Sequence, residues 1–345
     1  MAEAESRARR VSMTDVAAHV GVSQKTVSRV VNGEPYVAAE VRDRVLSAVA
    51  ELGFRPNAAA RALVTRRSRR IGVVSMGSTT LHGPTSVLAG VETVARRNGY
   101  SLSVLRTEPG GGAEIQAAVD SLAAQGVEAI VVSEPADFGG VPIAIPDGIE
   151  VLTFGMGAVT SNPRELVVGA DEREGARDAT EHLLAYGHET VHHVSGPPDW
   201  LSSRNRLAGW RKALVDAGVP EPEPVAGDWT PAGGFRAASE MLDRGDVTAV
   251  FVANDQMAIG AMSALARAGL RVPEDVSVVG FDDIDVAAYL PVPLTTVRQD
   301  FVETSRLGMH RLLRALDGHP PADLRRTVPA QLVIRASSVL PAETD

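Results

Sequence analysis

The sequence predicts a small all-α head followed by a larger α/β body that contains two doubly wound parallel sheets. The first observation is a change of hydrophobic pattern. Residues 11–55 carry apolar residues at helical spacing, whereas from residue 71 onward short apolar runs alternate with amphipathic stretches. This alternation is typical of parallel strands covered by helices on both faces. The second observation is length: about ten strands in the body favour two lobes over a single sheet.

Charge is distributed unevenly along the chain. Residues 1–70 contain 13 Lys and Arg against 7 Asp and Glu, and the rest of the chain contains 21 against 36. A basic head on an acidic body indicates that a polyanion binds to the head alone.

The composition also excludes several classes of protein. No apolar run reaches the roughly 18 residues of a membrane-spanning helix, and the first ten residues lack the apolar stretch of a secretory signal. Cysteine is absent, which excludes disulfides and thiolate metal sites. We therefore expect a cytoplasmic protein with no membrane contact.

Residues 11–55 are predicted to form a helix-turn-helix DNA-binding domain. Ser12 and Asp15 have the spacing of a capping box, Gly21 ends the first helix, and Ser23 caps the second. A second helix after a tight turn is placed to enter the DNA major groove, where Gln reads adenine, and Lys and Arg read guanine or contact phosphate. Its outward-facing residues are predicted to be Gln24, Lys25, Ser28 and Arg29. The alternative is a small helical bundle that contacts a protein partner.

The segments on either side of this domain are predicted to be less ordered. Residues 1–10 are predicted to be a disordered tail, and residues 56–70 a hinge helix and linker. The stretch from Asn57 to Leu63 is Ala-rich but shorter than the roughly 12–15 residues that an isolated helix needs. We expect it to fold only against DNA or a second copy of itself, with Leu63 inserted into a minor-groove step. An ordinary linker helix is the alternative.

Motifs along nearly the whole chain resemble the LacI/GalR family of transcriptional regulators. They lie at residues 12–23, 26–32, 52–63, 208–210, 252–261, 278–283 and 294–300. The resemblance implies that residues 24, 25 and 29 read an operator and that Asn57 and Leu63 belong to a hinge helix. The chain ends without the heptads of the family's tetramers, so we expect a homodimer on a pseudo-palindromic operator.

The resemblance also implies how the body, residues 71–345, is built. It is expected to be an effector-binding and dimerisation body that folds like the two-lobed periplasmic sugar-binding proteins. Lobe one is expected to comprise about residues 71–169 and 299–328, and lobe two about residues 170–298 and 329–345.

Polar and aromatic residues lie at the predicted carboxyl ends of the body's strands, where open α/β sheets bind their ligands. A sugar needs hydrogen-bonding groups for its hydroxyls, which Arg, Asn and Asp supply, and a flat apolar surface for its C–H face, which Trp and Phe supply. The predicted effector-binding residues are Leu81, Pro84, Arg206, Trp229, Asn254, Asp282 and Phe301.

Several of these residues have a purely structural alternative. Asn254 or Asp255 caps the following helix, Trp229 packs at a domain edge, and Arg206 pairs with a surface carboxylate. The resemblance favours the ligand site, because effector sites of the family use an Arg, an Asn, an Asp and an aromatic residue at the matching positions.

Two residues depart from the pattern of a family member that the effector-site motifs otherwise resemble. Ser133 and Gly155 stand where that protein has Asn and Asp. The departures leave the identity of the sugar open.

Catalytic and metal sites are not predicted. The segment from His188 to His192 matches the zinc-protease pattern H-E-x-x-H, but Gly187 is predicted to end the preceding helix and residues 191–195 to form a strand. At strand spacing the two histidines lie about 13 Å apart, too far to share one zinc ion. No nucleophile–base pair is evident, and the adjacent carboxylates Asp282 and Asp283 do not suggest glycosidase chemistry. We therefore expect no catalytic residue, no metal and no cofactor, and a protein that is not an enzyme.

Together these features predict a transcriptional repressor that binds operator double-stranded DNA and a small carbohydrate effector, with the effector acting as an inducer. A family regulator with a purine or phosphorylated sugar as co-repressor is the main alternative. A sugar-binding transport protein that does not bind DNA is a second, and an enzyme with a DNA-binding head is a third; the head and the lack of a catalytic constellation argue against these two.

Overall fold

The computed structural model describes residues 11–31, 35–54, 67–76, 81–107, 112–133, 141–245 and 247–338. The chain divides into two compact units, residues 1–68 and 69–345, called here the head and the body. The predicted tail and the hinge residues Asn57 and Leu63 lie outside the described residues. Within the described ranges, no helix is long and apolar enough to cross a membrane.

The described residues of the head form three helices, α1 (Met13–Val20), α2 (Gln24–Val31) and α3 (Ala39–Glu51). The predicted capping box is present: the backbone N–H of Asp15 donates to the hydroxyl of Ser12, and the backbone N–H of Ser12 donates to the Asp15 carboxylate at 2.7 Å. Gly21 ends α1 in the left-handed conformation at φ 74°. The hydroxyl of Ser23 accepts from the backbone N–H of Thr26 at 3.1 Å, which caps α2. These caps confirm the predicted helix–turn–helix.

The three helices share a small core of valines. Val16 and Val20 of α1, Val27 and Val30 of α2, and Val45 of α3 are buried in one cluster. Because these valines fix one side of α2 against its neighbours, the polar side of α2 is turned away from the core.

The described residues of the body form twelve strands and seven further helices of regular length. The strands are β1 (Arg70–Met76), β2 (Ser101–Thr107), β3 (Ala129–Ser133), β4 (Glu150–Phe154), β5 (Leu166–Ala170), β6 (His192–Ser195), β7 (Val225–Ala226), β8 (Ala249–Val252), β9 (Ser277–Asp282), β10 (Thr295–Arg298), β11 (Arg325–Val328) and β12 (Gln331–Val333). The helices are α4 (His82–Arg97), α5 (Gly112–Ala124), α6 (Glu172–Ala185), α7 (Leu201–Ala217), α8 (Pro231–Arg244), α9 (Asp255–Arg267) and α10 (Phe301–Leu316), with 3₁₀ turns at Asp285–Tyr289 and Ala336–Ser338.

The strands form two six-stranded sheets. The first has the order β11-β5-β4-β3-β1-β2 and the second β12-β10-β9-β8-β6-β7. The named pairings are parallel except that between β10 and β12, which is antiparallel. Strands β3, β5 and β8 are buried along their whole length, which explains their continuous apolar sequences. The predicted doubly wound parallel sheets are therefore confirmed, with β12 as an antiparallel edge.

Each sheet with the helices that cover it forms one lobe. Lobe one contains the first sheet with α4, α5 and α10, and lobe two contains the second sheet with α6, α7, α8 and α9. The chain passes between the lobes three times: from β5 to α6, from β10 to α10, and from β11 to β12.

Helices α6 and α7 of lobe two approach each other closely at Gly209. A Cβ atom at Gly209 would overlap the carbonyl oxygen of Arg173 and lie 2.9 Å from the Cβ of Ala176. The next residue, Trp210, is fully buried and donates its indole N–H to the carbonyl oxygen of Val191 at 2.8 Å. The glycine therefore sets the distance between the helices, and the tryptophan anchors α7 to the sheet.

We predict that Gly209→Ala destabilises the body by about 1–3 kcal/mol, because the added methyl group has no space between the two helix backbones. Urea unfolding of the full-length protein measures the change. The matched control is Val215→Ala on the same helix, where the side chain is 67% exposed and the loss should stay within about 0.5 kcal/mol. Equal losses for the two variants would contradict the close-packing role of Gly209.

Candidate effector cavity and DNA-reading helix

A cavity lies between the two lobes of the body. Lobe one contributes the apolar start of α4 and the first turn of α10, and lobe two contributes the carboxyl ends of β8 and β9 with the start of α6 and part of α7. The structure brings all seven residues of the predicted effector site to this cavity: Leu81, Pro84, Arg206, Trp229, Asn254, Asp282 and Phe301.

The guanidinium of Arg206 is buried at the centre of the lobe-two wall. Its Nη2 lies 2.8 Å from Oε1 of Glu172, and its Nη1 lies 2.5 Å from the carbonyl oxygen of Ala253 and 3.5 Å from Oδ1 of Asp282. Its Cζ lies 4.1 Å from the ring centroid of Phe281. The predicted alternative, pairing with a surface carboxylate, is wrong, because both partner carboxylates are buried.

Asp282 is the last residue of β9, and its carboxylate lies beside Arg206 in the same wall of the cavity. Its backbone has φ 115°, and its Oδ1 accepts a hydrogen bond from Nε2 of Gln299 at 2.7 Å. Burial raises the pKa of the Asp282 carboxyl above its ordinary value, and the nearby Arg206 charge opposes that rise. The carboxyl is thus a buried acceptor at the carboxyl end of a strand, the location that the sequence predicted.

The neighbouring carboxylates Asp255 and Asp283 serve the framework of lobe two. Asp255 is fully buried and accepts from the hydroxyl of Thr296 at 2.5 Å, and burial raises its pKa well above the ordinary value. Asp283 pairs with Arg298 at 2.6 Å and Arg335 at 2.5 Å. Neither lines the cavity.

Asn254 both lines the cavity and caps a helix. Its Oδ1 accepts from the backbone N–H of Met257 at 2.9 Å, which caps α9, and its Nδ2 donates to the carbonyl oxygen of Trp229 at 3.1 Å. The predicted capping role of Asn254 is therefore confirmed, and the residue also lines the cavity. Its side-chain amide fixes the loop that carries Trp229.

Two tryptophans form an aromatic wall of the cavity. The rings of Trp229 and Trp200 meet edge to face with centroids 5.8 Å apart. Trp229 has φ 69°, and a Cβ at Gly196 would overlap its ring, so this side chain needs the glycine beside it. The buried indole N–H of Trp229 has no hydrogen-bond partner among the described residues. Trp229 is thus packed within lobe two, with a free donor beside the cavity.

Lobe one supplies a mainly apolar wall. Leu81 and Pro84 are buried at the start of α4, and the ring of Phe301 meets the ring of His82 at 5.4 Å. Of the two departures from the family pattern, Gly155 lines the cavity, whereas Ser133 is buried within β3.

The sequence analysis missed several residues that line the cavity. They are His82, Met156, Glu172, Trp200 and Gln299. The most important is Glu172, which follows the carboxyl end of β5 by two residues. The rule that found Asp282 and Asn254 therefore applied to Glu172 as well.

Helix α2 of the head carries the predicted DNA-reading residues on the side opposite its buried valines. Gln24, Lys25 and Arg29 are exposed and Ser28 is half-buried. A short helix with one buried and one polar side fits the major groove of DNA.

The segment that matches the zinc-protease pattern is not helical: residues 188–191 lie outside the helices and strands, and the strand predicted from residue 191 begins one residue later. The ring nitrogens of His188 lie 3.1 Å from the hydroxyls of Thr248 and Ser277, and His192 begins β6. In the described part of the chain, no group of three or more His, Asp or Glu residues is placed to hold a metal ion.

Comparison with known proteins agrees with both parts of this architecture. The model of the bacterial regulatory proteins of the lacI family matches residues 12–57, and that of the periplasmic binding protein-like domain matches residues 180–338. The lactose operon repressor of Escherichia coli (strain K12) is 37% identical over 333 residues, which cover 96% of this chain and 91% of that protein.

Two solved structures extend the similarity to the fold. The lac repressor dimer bound to operator and the anti-inducer ONPF has a TM-score of 0.83 and 34% identity, covering 96% of this chain and 100% of that one. The complex of the transcriptional regulator CelR with cellobiose has a TM-score of 0.69 and 29% identity, covering 95% and 100%. The chain belongs to the lacI family of bacterial regulatory proteins, which join a DNA-binding helix-turn-helix head to an effector-binding body.

Proposed function

We propose that this protein is a cytoplasmic transcriptional repressor that binds operator DNA as a homodimer and leaves it when a neutral carbohydrate occupies the cavity. The observation that carries the proposal is one chain that contains both an exposed recognition helix and a cavity built of buried carboxylates, a guanidinium and aromatic rings. Its similarity to an operator-bound lac repressor and to a cellobiose-bound regulator supports both halves.

The chemistry of the cavity suits a sugar. Hydroxyl groups donate to the carboxylates of Asp282 and Glu172, and they accept from the free indole N–H of Trp229. The rings of Trp229 and Phe301 offer apolar surface to the C–H face of a pyranose.

We infer that the protein is not an enzyme. The two carboxylates that line the cavity, Glu172 and Asp282, both face the guanidinium of Arg206. They are therefore arranged as partners of a fixed cation and not as an acid and a base on opposite sides of a bond.

The two-lobed cavity gives the effector a way to act on DNA binding. A ligand held by residues of both lobes favours one relative orientation of the lobes, and it shifts that equilibrium by its difference in affinity for the two orientations. We propose that the sugar-favoured orientation separates the two hinge segments, Asn57 to Leu63, and so lowers operator affinity.

For the head, we predict that Lys25→Ala and Arg29→Ala each weaken operator binding by about tenfold or more, because each removes a contact to a base or a phosphate. Fluorescence anisotropy with pseudo-palindromic sequences from the protein's own promoter, at several salt concentrations, measures the loss. Lys212→Ala is the matched control, since Lys212 lies half exposed on the body and pairs with Asp216. A loss no greater than that of the control, or no preference for the palindromes over scrambled DNA, would refute the repressor proposal.

For the cavity, we predict that Asp282→Asn weakens sugar binding by about tenfold while operator affinity without sugar is unchanged, because a hydroxyl loses its charged acceptor. Tryptophan fluorescence with a panel of neutral mono- and disaccharides, cellobiose included, measures the affinity. Asp285→Asn, an exposed residue three positions along, is the control. If both variants bind sugar like the parent, the effector site lies elsewhere.

For the coupling, we predict that saturating operator DNA lowers the affinity for the sugar by the same factor by which the sugar lowers operator affinity, about 5–150-fold. Titrating the sugar with and without operator measures both sides of this linkage. Equal affinities would show that the two sites are uncoupled, and tighter sugar binding on DNA would show co-repression in place of induction.

A further inference from the structure

We propose that Glu172 makes the cavity select against anionic ligands, such as phosphorylated sugars and sugar acids, by engaging the guanidinium that would otherwise receive them. The inference rests on the proposed role of the cavity as the effector site and narrows the class of effector. Of the described residues that line the cavity, Arg206 alone carries a permanent positive charge.

Glu172 is held firmly against Arg206. Its Oε1 accepts from Nη2 of Arg206 at 2.8 Å, and its Oε2 accepts from Nδ2 of Asn205 at 3.1 Å. Both oxygens are thus bound by consecutive residues of α7, and the side chain is 8% exposed. A carboxylate fixed at both oxygens cannot rotate away to leave the guanidinium to a ligand.

The other terminal nitrogen, Nη1, is engaged as well. Nη1 meets the carbonyl oxygen of Ala253 and the carboxylate of Asp282, and the ring of Phe281 lies 4.1 Å from Cζ. Arginine binds phosphate or carboxylate best by presenting two parallel N–H groups. Here Nη1 and Nη2 are already directed at oxygens of the protein, so an anion would have to displace one of them.

The charge balance of the cavity also disfavours anionic ligands. Two buried carboxylates, Glu172 and Asp282, face one guanidinium. His82, on the opposite wall, is the other lining group able to carry a positive charge, and its charge acts on Asp282. A buried anion without a counter-charge is unfavourable, whereas a neutral polyol donates its hydroxyls to the carboxylates.

The substitution that tests this is Glu172→Gln. Glutamine keeps one oxygen acceptor, which can face Arg206 or Asn205, and removes the negative charge. The probe is inorganic phosphate, added to the full-length protein and read by tryptophan fluorescence, because Trp200 and Trp229 line the cavity. We expect the parent protein to respond no more to phosphate than to chloride at equal ionic strength, and Glu172→Gln to bind phosphate at least about tenfold more tightly.

Two further variants test whether the increase in phosphate affinity depends on the charge of Arg206. Adding Arg206→Met to Glu172→Gln should abolish phosphate binding. Glu174→Gln removes the same charge two residues along the same helix, where the side chain is exposed and pairs with Arg177, and should give no gain.

The proposal fails if Glu172→Gln melts at the temperature of the parent and binds phosphate no better, or if the parent itself binds phosphate in competition with a neutral sugar. Should Glu172→Gln not fold, Glu172→Ala removes the same carboxylate from Arg206, and absence of any gain in phosphate affinity in that variant also overturns the proposal. Apart from the competition arm, the assay contains neither DNA nor sugar. Its outcome is therefore separate from that of the tests for repression and sugar binding.

Discussion

The cavity-facing side of lobe two depends on the contacts that compensate the buried positive charge of Arg206. Its partners come from α6, from the residue after β8 and from the end of β9. A guanidinium is not left uncompensated in a low-dielectric interior, and removal of one partner of such a pair costs about 3–5 kcal/mol. These elements are therefore fixed relative to one another, and the mainly apolar wall of lobe one faces a polar surface whose geometry is set in advance.

The backbone around the cavity is also held in conformations that free chains avoid. Trp229, Asp282 and Asp283 all have positive φ although none is glycine. Each has a visible restraint: the Asn254 amide binds the carbonyl of Trp229, Gln299 binds Asp282, and two arginines bind Asp283. Strained residues persist where their surroundings over-determine them, and they concentrate at functional sites. The wall is thus shaped before a ligand arrives, which reduces the entropy lost on binding.

Much of this organisation was predictable from the sequence because it depends on local rules. Capping residues fixed the ends of the first two helices, and fully buried strands such as β3 and β8 had to be continuously apolar. Strands β7 and β11 lacked such a signal, since one is two residues long and the other is an exposed, Arg-rich edge. Strand β10 contains Thr295 and Thr296, whose burial depends on hydrogen bonds to Arg335 and Asp255, residues distant in the chain.

The difference between local signals and contacts distant in the chain applies to the cavity as well. Asn254 and Asp282 were found by their positions at strand ends, whereas Glu172, which also follows a strand end, was not singled out. An acidic residue in the first turn of a helix has a sufficient local explanation in the helix dipole. The role of Glu172 becomes evident only when α7 is packed beside it.

The threefold passage of the chain between the lobes has an evolutionary consequence. The head is one contiguous segment, so a single recombination between two related genes replaces it whole. Neither lobe is contiguous, because β11 completes one sheet and β12, a few residues later, completes the other. A single crossover within the body therefore joins strands of one ancestor to a sheet of the other. The head and the whole body can thus each be inherited as a module, whereas a single crossover cannot exchange one lobe of the body without the other.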